Sequence, residues 1–146
     1  MLLKRLLLGL LLVVSFTVNA QTVVLKHKTY TATYDTQKNY PILIEYWLTK
    51  AMLVCPVRIP RGTKFMPDPL LKKETDLQSS YDKSGYDRGH NMNAEDNRCD
   101  QIGMNESFYF SNMTPQDPRL NRGVWKSLET KVRETAALDD SIKVWM

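Results

Sequence analysis

The chain has 146 residues, 42% of them hydrophobic and 25% charged, with a formal net charge of +4. That is enough chain for one domain with its own core, and no repeat, low-complexity tract or linker divides it. The net charge is too small to argue by itself for a polyanionic partner, so any such partner must be argued from placed residues.

The first twenty residues have the pattern of a secretory leader. Lys4 and Arg5 precede an apolar run from Leu6 to Phe16, and Val18-Asn19-Ala20 sets small side chains where a signal peptidase reads. Cleavage is expected before Gln21. The competing reading is a membrane anchor, but the run is about eleven residues against the ~20 needed to span a bilayer. The expectation is a signal peptide over residues 1–20 and one domain over 21–146. The protein would be exported, periplasmic or secreted, with no stable membrane association after cleavage. Without the leader's two cations, 18 Lys and Arg face 16 Asp and Glu, and the net charge falls to +2.

Residues 22–35, TVVLKHKTYTATYD, alternate β-branched and aromatic residues with polar ones, as a strand or hairpin does. Residues 40–54 are more continuously apolar. Ile42, Ile44, Tyr46 and Leu48 recur at period two, which predicts a central strand, with a short helix as the alternative. From Cys55 to Ser84, four prolines among Lys, Asp and Ser predict a long surface loop, and such loops are often functional. Cys55 and Cys99 favour a disulfide in an oxidising compartment, worth roughly 3–4 kcal/mol for a loop of that length. Two independent thiols, with Cys55 buried beside Leu53 and Val54, remain the alternative.

Further on, ESFYFSNM (106–113) alternates again and predicts a second short strand, after which Pro115 and Pro118 break the chain. Val124, Leu128 and Val132 recur at i, i+4 and i+8, with Lys126, Glu129, Arg133 and Glu134 on the other side. That spacing predicts a helix, with Asn121 at its start as the capping side chain. The last residues, SIKVWM, begin a new β-like run.

Two clusters can carry chemistry. His90 follows Asp87-Arg88-Gly89: a neutral imidazole can act as a base near pH 7, and a guanidinium offers a planar fork of donors for a phosphate. Read alone, this tetrapeptide also fits a structural His in a turn. In the second cluster, Asn121 and Glu129 are eight residues apart, about 80° of net rotation and 12 Å of rise along a helix. An amide oxygen and a carboxylate so placed can hold a hydrated Mg²⁺, directly and through metal-bound water. Read alone, they also fit a helix cap and a solvated carboxylate pairing with Lys126 or Arg133.

Together the clusters resemble the DNA/RNA non-specific endonucleases of the ββα-metal fold. The likeness is carried by GYDRGHNMNAEDNRCDQIGMNESFYFSNMTPQDPRLNRGVWKSLE, residues 85–129. Within it DRGH, SNM with PQ, and LN with W and LE stand at the family's spacings. The likeness extends upstream to about Tyr40 through RGTKFMPDP. It implies an α+β fold, a ββα-metal core of antiparallel sheet with a catalytic helix.

By position, the resemblance makes His90 the general base, Asn121 the direct metal ligand and Glu129 the holder of metal-bound waters. Arg88 would stabilise charge on the phosphate, Asn112 would help set the site geometry, and Asp87 would orient its neighbours. Arg61 matches a second phosphate-contacting arginine, with Arg58 competing for that role. The implied cofactor is Mg²⁺, with Mn²⁺ or another divalent cation possible, and the implied substrate is DNA or RNA. Contacts confined to phosphate and sugar carry no direct base information, which fits broad specificity.

Three departures from the family pattern stand out. After DRGH comes Asn91-Met92-Asn93 where Leu-Ala-Pro is common. Glu95, Asp96 and Asp100 suggest a second metal site or, the reading adopted, a solvated loop. The chain also stops in SIKVWM, where the family continues, so the C-terminal part of the sheet is expected to be missing. The alternative function is a catalytically inactive, shortened relative that only binds nucleic acid. A small secreted β-rich binding module stapled by Cys55 and Cys99 is a third reading.

Overall fold

The computed structural model describes residues 22–71 and 78–146, and the expected leader lies outside them. The alternation at 22–35 forms a hairpin of β1 (Thr22–Lys26) and β2 (Thr31–Asp35), with Thr22 opposite Asp35. Both readings of 40–54 are realised in succession: β3 (Tyr40–Thr49) runs into one helical turn, α1 (Lys50–Leu53). The Thr49 hydroxyl caps that turn, accepting from the Met52 N–H at 3.4 Å. SIKVWM supplies β6 (Ser141–Trp145), antiparallel to β3, and the sheet order is β1-β2-β3-β6.

The inner face of this sheet is the main core. Leu25, Ala32, Tyr34, Ile44, Tyr46 and Leu48 are buried there, closed over by Met92 and by Ala136 of α5 (Lys126–Leu138). Full burial of each large apolar side chain contributes about 1.5–3 kcal/mol. Ile42 departs from the predicted face and is 48% exposed. The cause is a bulge: Thr33 pairs Leu43 but Tyr34 pairs Pro41, so Ile42 is skipped and Pro41 takes the inward place.

The segment predicted as a long loop is irregular over 54–71 and forms one turn, α2 (Gln78–Tyr81), further on. It is pinned rather than free. The Met66 N–H donates to Phe108 O at 3.1 Å, and Phe110 N–H donates to Met66 O at 3.0 Å. Asp68, 3% exposed, accepts from the Ser111 hydroxyl and lies 3.0 Å from His27 Nε2.

The strand predicted at 106–113 is not there. α3 (Gln101–Glu106) ends at its start, Phe110–Asn112 is a 3₁₀ turn, and the strand is β5 (Met113–Gln116). Phe108, Phe110, Ser111, Asn112 and Met113 are all buried, so the apparent alternation reflected a segment enclosed on every side. Pro115 lies inside β5, which pairs only with β4 (Asp87–His90); a two-stranded ladder has an open edge where the missing N–H costs little.

The predicted cap also moves. The Asp117 carboxylate caps the first turn, α4 (Pro118–Leu120), accepting from Arg119 N–H at 2.8 Å. Asn121 is already inside the helical path (φ −57°, ψ −47°), and a kink at the non-helical Gly123 stands between it and α5. Of the predicted apolar stripe, Val132 packs against the core, while Val124 is 73% and Leu128 51% exposed.

The acidic run is not a solvated loop. Asp96, in the 3₁₀ turn Ala94–Asn97, is 2% exposed, and Asp100 caps α3 through Ile102 N–H and Gly103 N–H at 2.9 and 3.0 Å. Glu95 is ringed by Arg58, Arg61 and Arg98.

Candidate active site

β4 and β5 pair antiparallel with His90 opposite Met113 and Arg88 opposite Pro115. Period two brings the Arg88 and His90 side chains to one face, where both meet Phe65 from the long loop. The Arg88 guanidinium carbon sits 4.5 Å above the Phe65 ring, and the His90 and Phe65 rings are 5.6 Å apart. Phe108 meets His90 edge-on at 5.0 Å.

His90 is 9% exposed, and its Nε2 is buried without a hydrogen-bond partner among the described residues. Burial first, and then the positive charges of Arg61 and Arg88, lower its pKa to about 3. The ring is therefore a neutral imidazole at physiological pH. Arg88 Nη1 is likewise buried without a partner. Buried polar atoms are almost always paired, so two unpaired ones side by side mark a place built for something outside the chain.

That place is a cleft of about 630 Å³, walled on one side by Arg61, Arg88 and His90 and on the other by Asn121, Lys126 and Glu129. Residues 121 and 129 thus both line the cleft, although the kink at Gly123 between them breaks the regular helix that the spacing assumed. Asn121 Nδ2 donates to Asp87 Oδ2 at 3.0 Å, which leaves the amide oxygen for the cleft. Arg122 grips the same carboxylate twice, Nε to Oδ2 at 2.8 Å and Nη2 to Oδ1 at 2.6 Å. Arg122 first, then Asn121, holds the Asp87 carboxyl below the usual range.

Glu129 is half-buried, and its pKa is raised to about 7, by burial first. Arg133 pulls it down, Asp96 pushes it up, and Arg61 and a hydrogen bond from Asn93 lower it again. Beneath it Asp96, raised to about 6 by burial, is paired with Arg133 at 3.1 Å. Two carboxyls thus share one guanidinium. Burial, against the pull of Arg133 and Arg61, is what disfavours the carboxylate form of Glu129.

Asn112 does not reach the cleft. It is fully buried behind β4, where Oδ1 accepts from Met92 N–H at 2.8 Å and Nδ2 donates to Met92 O and Ser107 O at 2.9 and 2.8 Å. Its own backbone oxygen accepts from Asn91 N–H at 3.0 Å. It fixes the chain immediately after His90 and so sets the imidazole's position through the backbone.

Of the two competing arginines, Arg61 lines the cleft, with its guanidinium 5.4 Å from the Phe108 ring, while Arg58 pairs with Glu95 at 3.2 Å. The Cys55–Cys99 disulfide joins the loop that carries Arg61 to the segment before α3, its Cα atoms 5.7 Å apart. Ile59 N–H donating to Arg98 O at 2.7 Å makes a second anchor.

The donors fit a divalent cation. Asn121 and Glu129 offer one amide oxygen and one carboxylate, and the described residues hold no group of three or more His, Cys, Asp and Glu. So sparse an oxygen set suits a hard cation that keeps most of its waters, as Mg²⁺ does, rather than a four-ligand zinc cage. A cation there would also offset the burial that disfavours the Glu129 carboxylate.

Sequence reasoning missed Arg122, Asn93 and Tyr86, and read Lys126 and Arg133 as a solvated helix face. For the helix the signal was present: Lys126, Glu129 and Arg133 recur at i, i+3 and i+7, one stripe of the helix, which is the stripe that walls the cleft. Phe65 lies in the RGTKFMPDP stretch that carries the upstream likeness, but its place beneath Arg88 comes only from the folded loop.

A profile of the DNA/RNA non-specific endonuclease family matches residues 9–146. Nuclease EXOG, mitochondrial, of Mus musculus is 30% identical over 123 residues, covering 83% of this chain and 32% of the relative. Nuclease 1, mitochondrial, of Schizosaccharomyces pombe is 31% identical over 117 residues, covering 79% of this chain and 36% of the relative. The Danio rerio Nuclease EXOG is 43% identical over 72 residues, 49% of this chain and 21% of the relative. Among solved structures, the EndoG/EndoGI complex gives a TM-score of 0.78 at 30% identity, over 84% of this chain and 51% of that one. The chain therefore spans 21 to 36% of these curated relatives and about half of the solved neighbour. The fold is the ββα-metal nuclease fold, with β4, β5 and the helix that starts near Asn121 as its core.

Proposed function

The chain belongs to the DNA/RNA non-specific endonuclease family, and from that premise we propose that it is an exported, divalent-metal-dependent endonuclease. It hydrolyses phosphodiester bonds in DNA or RNA with little sequence selectivity. One observation carries the reading: His90, whose buried Nε2 has no partner among the described residues, lines the same cleft as Asn121 and Glu129. The names of the relatives, nucleases and endonucleases, support it.

In this reading His90 takes the proton from the attacking water through Nε2. With a pKa near 3, set by burial first and then by the Arg61 and Arg88 charges, the imidazole is a weak base. A phosphodiester seated against Arg61 and Arg88 would offset those two positive charges and so recover the smaller, electrostatic part of that shift. Arg88 presents its unpaired Nη1 to a phosphate oxygen, where a fixed guanidinium stabilises charge as it develops. Asn121 and Glu129 would hold Mg²⁺, or Mn²⁺ in its place, directly and through water. When bound, such a cation supplies Lewis-acid stabilisation of phosphate oxygens worth several kcal/mol. Export rests on the leader pattern of residues 1–20.

A plasmid-nicking assay on the purified protein tests the activity. We expect cleavage with Mg²⁺, none in EDTA, and a loss of about 10²–10⁴-fold in His90→Ala. Cleavage that survives EDTA, or that His90→Ala leaves intact, overturns the mechanism. Binding without any cleavage selects the inactive relative instead. Cell fractionation with N-terminal sequencing tests export, and the mature chain should begin at Gln21.

A further inference from the structure

Asn121 and Arg122 are sequence neighbours whose side chains converge on one carboxylate. On a regular α-helix consecutive side chains point about 100° apart and do not meet. Here they do: Asn121 is helical (φ −57°, ψ −47°), and the long Arg122 side chain reaches round to the same carboxylate just before the chain kinks at Gly123, at φ −109° and ψ −106°. Asn121 Nδ2, Arg122 Nε and Arg122 Nη2 meet the two oxygens of Asp87 at 3.0, 2.8 and 2.6 Å.

We infer that Arg122 is a positioning residue: by clamping Asp87 it fixes the Asn121 amide with its oxygen turned to the cleft. An amide can present either end. A carboxylate only accepts, so it selects the NH₂ end and turns the oxygen the other way. A carboxylate held by one hydrogen bond can rotate, whereas one gripped by a planar fork cannot. Arg122 thus acts at two removes, through Asp87 and then Asn121. The fork adds little to overall stability, since its side chain is 72% exposed. Its effect is on the direction of one oxygen. The inference rests on the proposed metal-binding role of Asn121.

The test is Mn²⁺ affinity, read by electron paramagnetic resonance on the full chain without nucleic acid, together with melting temperature. Arg122→Ala should weaken Mn²⁺ about 10–100-fold, the usual cost of losing a partner that orients a metal ligand. Its melting temperature should stay within a few degrees of the wild type. Arg122→Lys, which keeps the charge but loses the fork, should fall between the two and covers the case in which Arg122→Ala does not fold. Asp87→Asn combined with Arg122→Ala should be no worse than the weaker-binding single variant, because both break one chain of contacts. Wild-type Mn²⁺ affinity in both Arg122 variants overturns the inference and leaves the metal reading standing. A raised KM for nucleic acid with unchanged Mn²⁺ affinity also overturns it, making Arg122 a phosphate contact. A wild-type protein that binds no Mn²⁺ sinks the metal reading and this inference with it.

Discussion

A β-carbon on Gly89 would stand 2.2 Å from Cδ and 2.4 Å from Cγ of the Gln116 side chain. Gln116 is 8% exposed and lies two positions along β5 from Thr114, the residue opposite Gly89, so it has little room to retreat. The glycine of DRGH is thus required by the closeness of β5 and not by an unusual backbone angle. Gly89→Ala should push Gln116 aside, strain the β4–β5 ladder and shift Arg88 and His90 on either side of it. An overpacked site typically costs about 1–3 kcal/mol. Nicking activity should fall at least about tenfold, because reacting groups tolerate displacements well under an ångström. Activity equal to the wild type would show that the two strands can separate freely.

Asn112 makes three side-chain hydrogen bonds with no exposed surface. Asn112→Leu keeps the volume but leaves the Met92 N–H, Met92 O and Ser107 O unpaired in the interior. Each orphaned group costs about 1–3 kcal/mol, so the loss should reach at least about 3 kcal/mol in urea titrations. Asn112→Asp should be damaging as well: it keeps the acceptor for Met92 N–H but sets a buried carboxyl oxygen against the Met92 and Ser107 carbonyls. If activity falls in both variants in proportion to stability alone, Asn112 supports the fold without setting His90.

The pH dependence of stability separates His90 from its neighbours. Its pKa in the folded protein, about 3, lies below the ordinary 6.5, so between those values the unfolded chain binds a proton that the folded one refuses. Stability from this group is complete above about pH 6.5 and is lost as pH falls, by at most about 1.4 kcal/mol per pH unit. Glu129 at about 7 and Asp96 at about 6 act the opposite way, favouring the folded state at low pH and losing that contribution as pH rises through those values. The total profile therefore mixes both signs, but the difference between wild type and His90→Ala isolates the histidine. The variant should gain on the wild type as pH drops from 7 to 4 in paired urea titrations. A gap independent of pH would mean that His90 titrates as in water.

Breaking the Cys55–Cys99 bond frees a loop of 44 residues of separation. Replacing both cysteines with Ser should cost about 3–4 kcal/mol, read from chemical denaturation. It should also loosen the segment that carries Arg61 and raise KM for nucleic acid. An unchanged KM would show that Ile59 and Glu95 hold Arg61 without the bond.

The sequence alone determined a good deal. Short motifs at fixed spacings named His90, Arg88, Asn121 and Glu129, although the kink at Gly123 means that regular helical spacing is not what brings residues 121 and 129 to one cleft. Alternation found β1, β2 and β3, because a sheet with one wet face must alternate. Only the tertiary structure decided the rest. Residues 107, 108 and 110–113 are all buried, so their alternation did not mark a strand with one wet face. The skipped Ile42 depends on a bulge set by the partner strand. Asp96 looked solvated until Arg133, 37 positions away, came to neutralise it. Arg122 acquires its role from a contact across the fold, and a contact between distant residues leaves no local trace in the order of side chains along the chain.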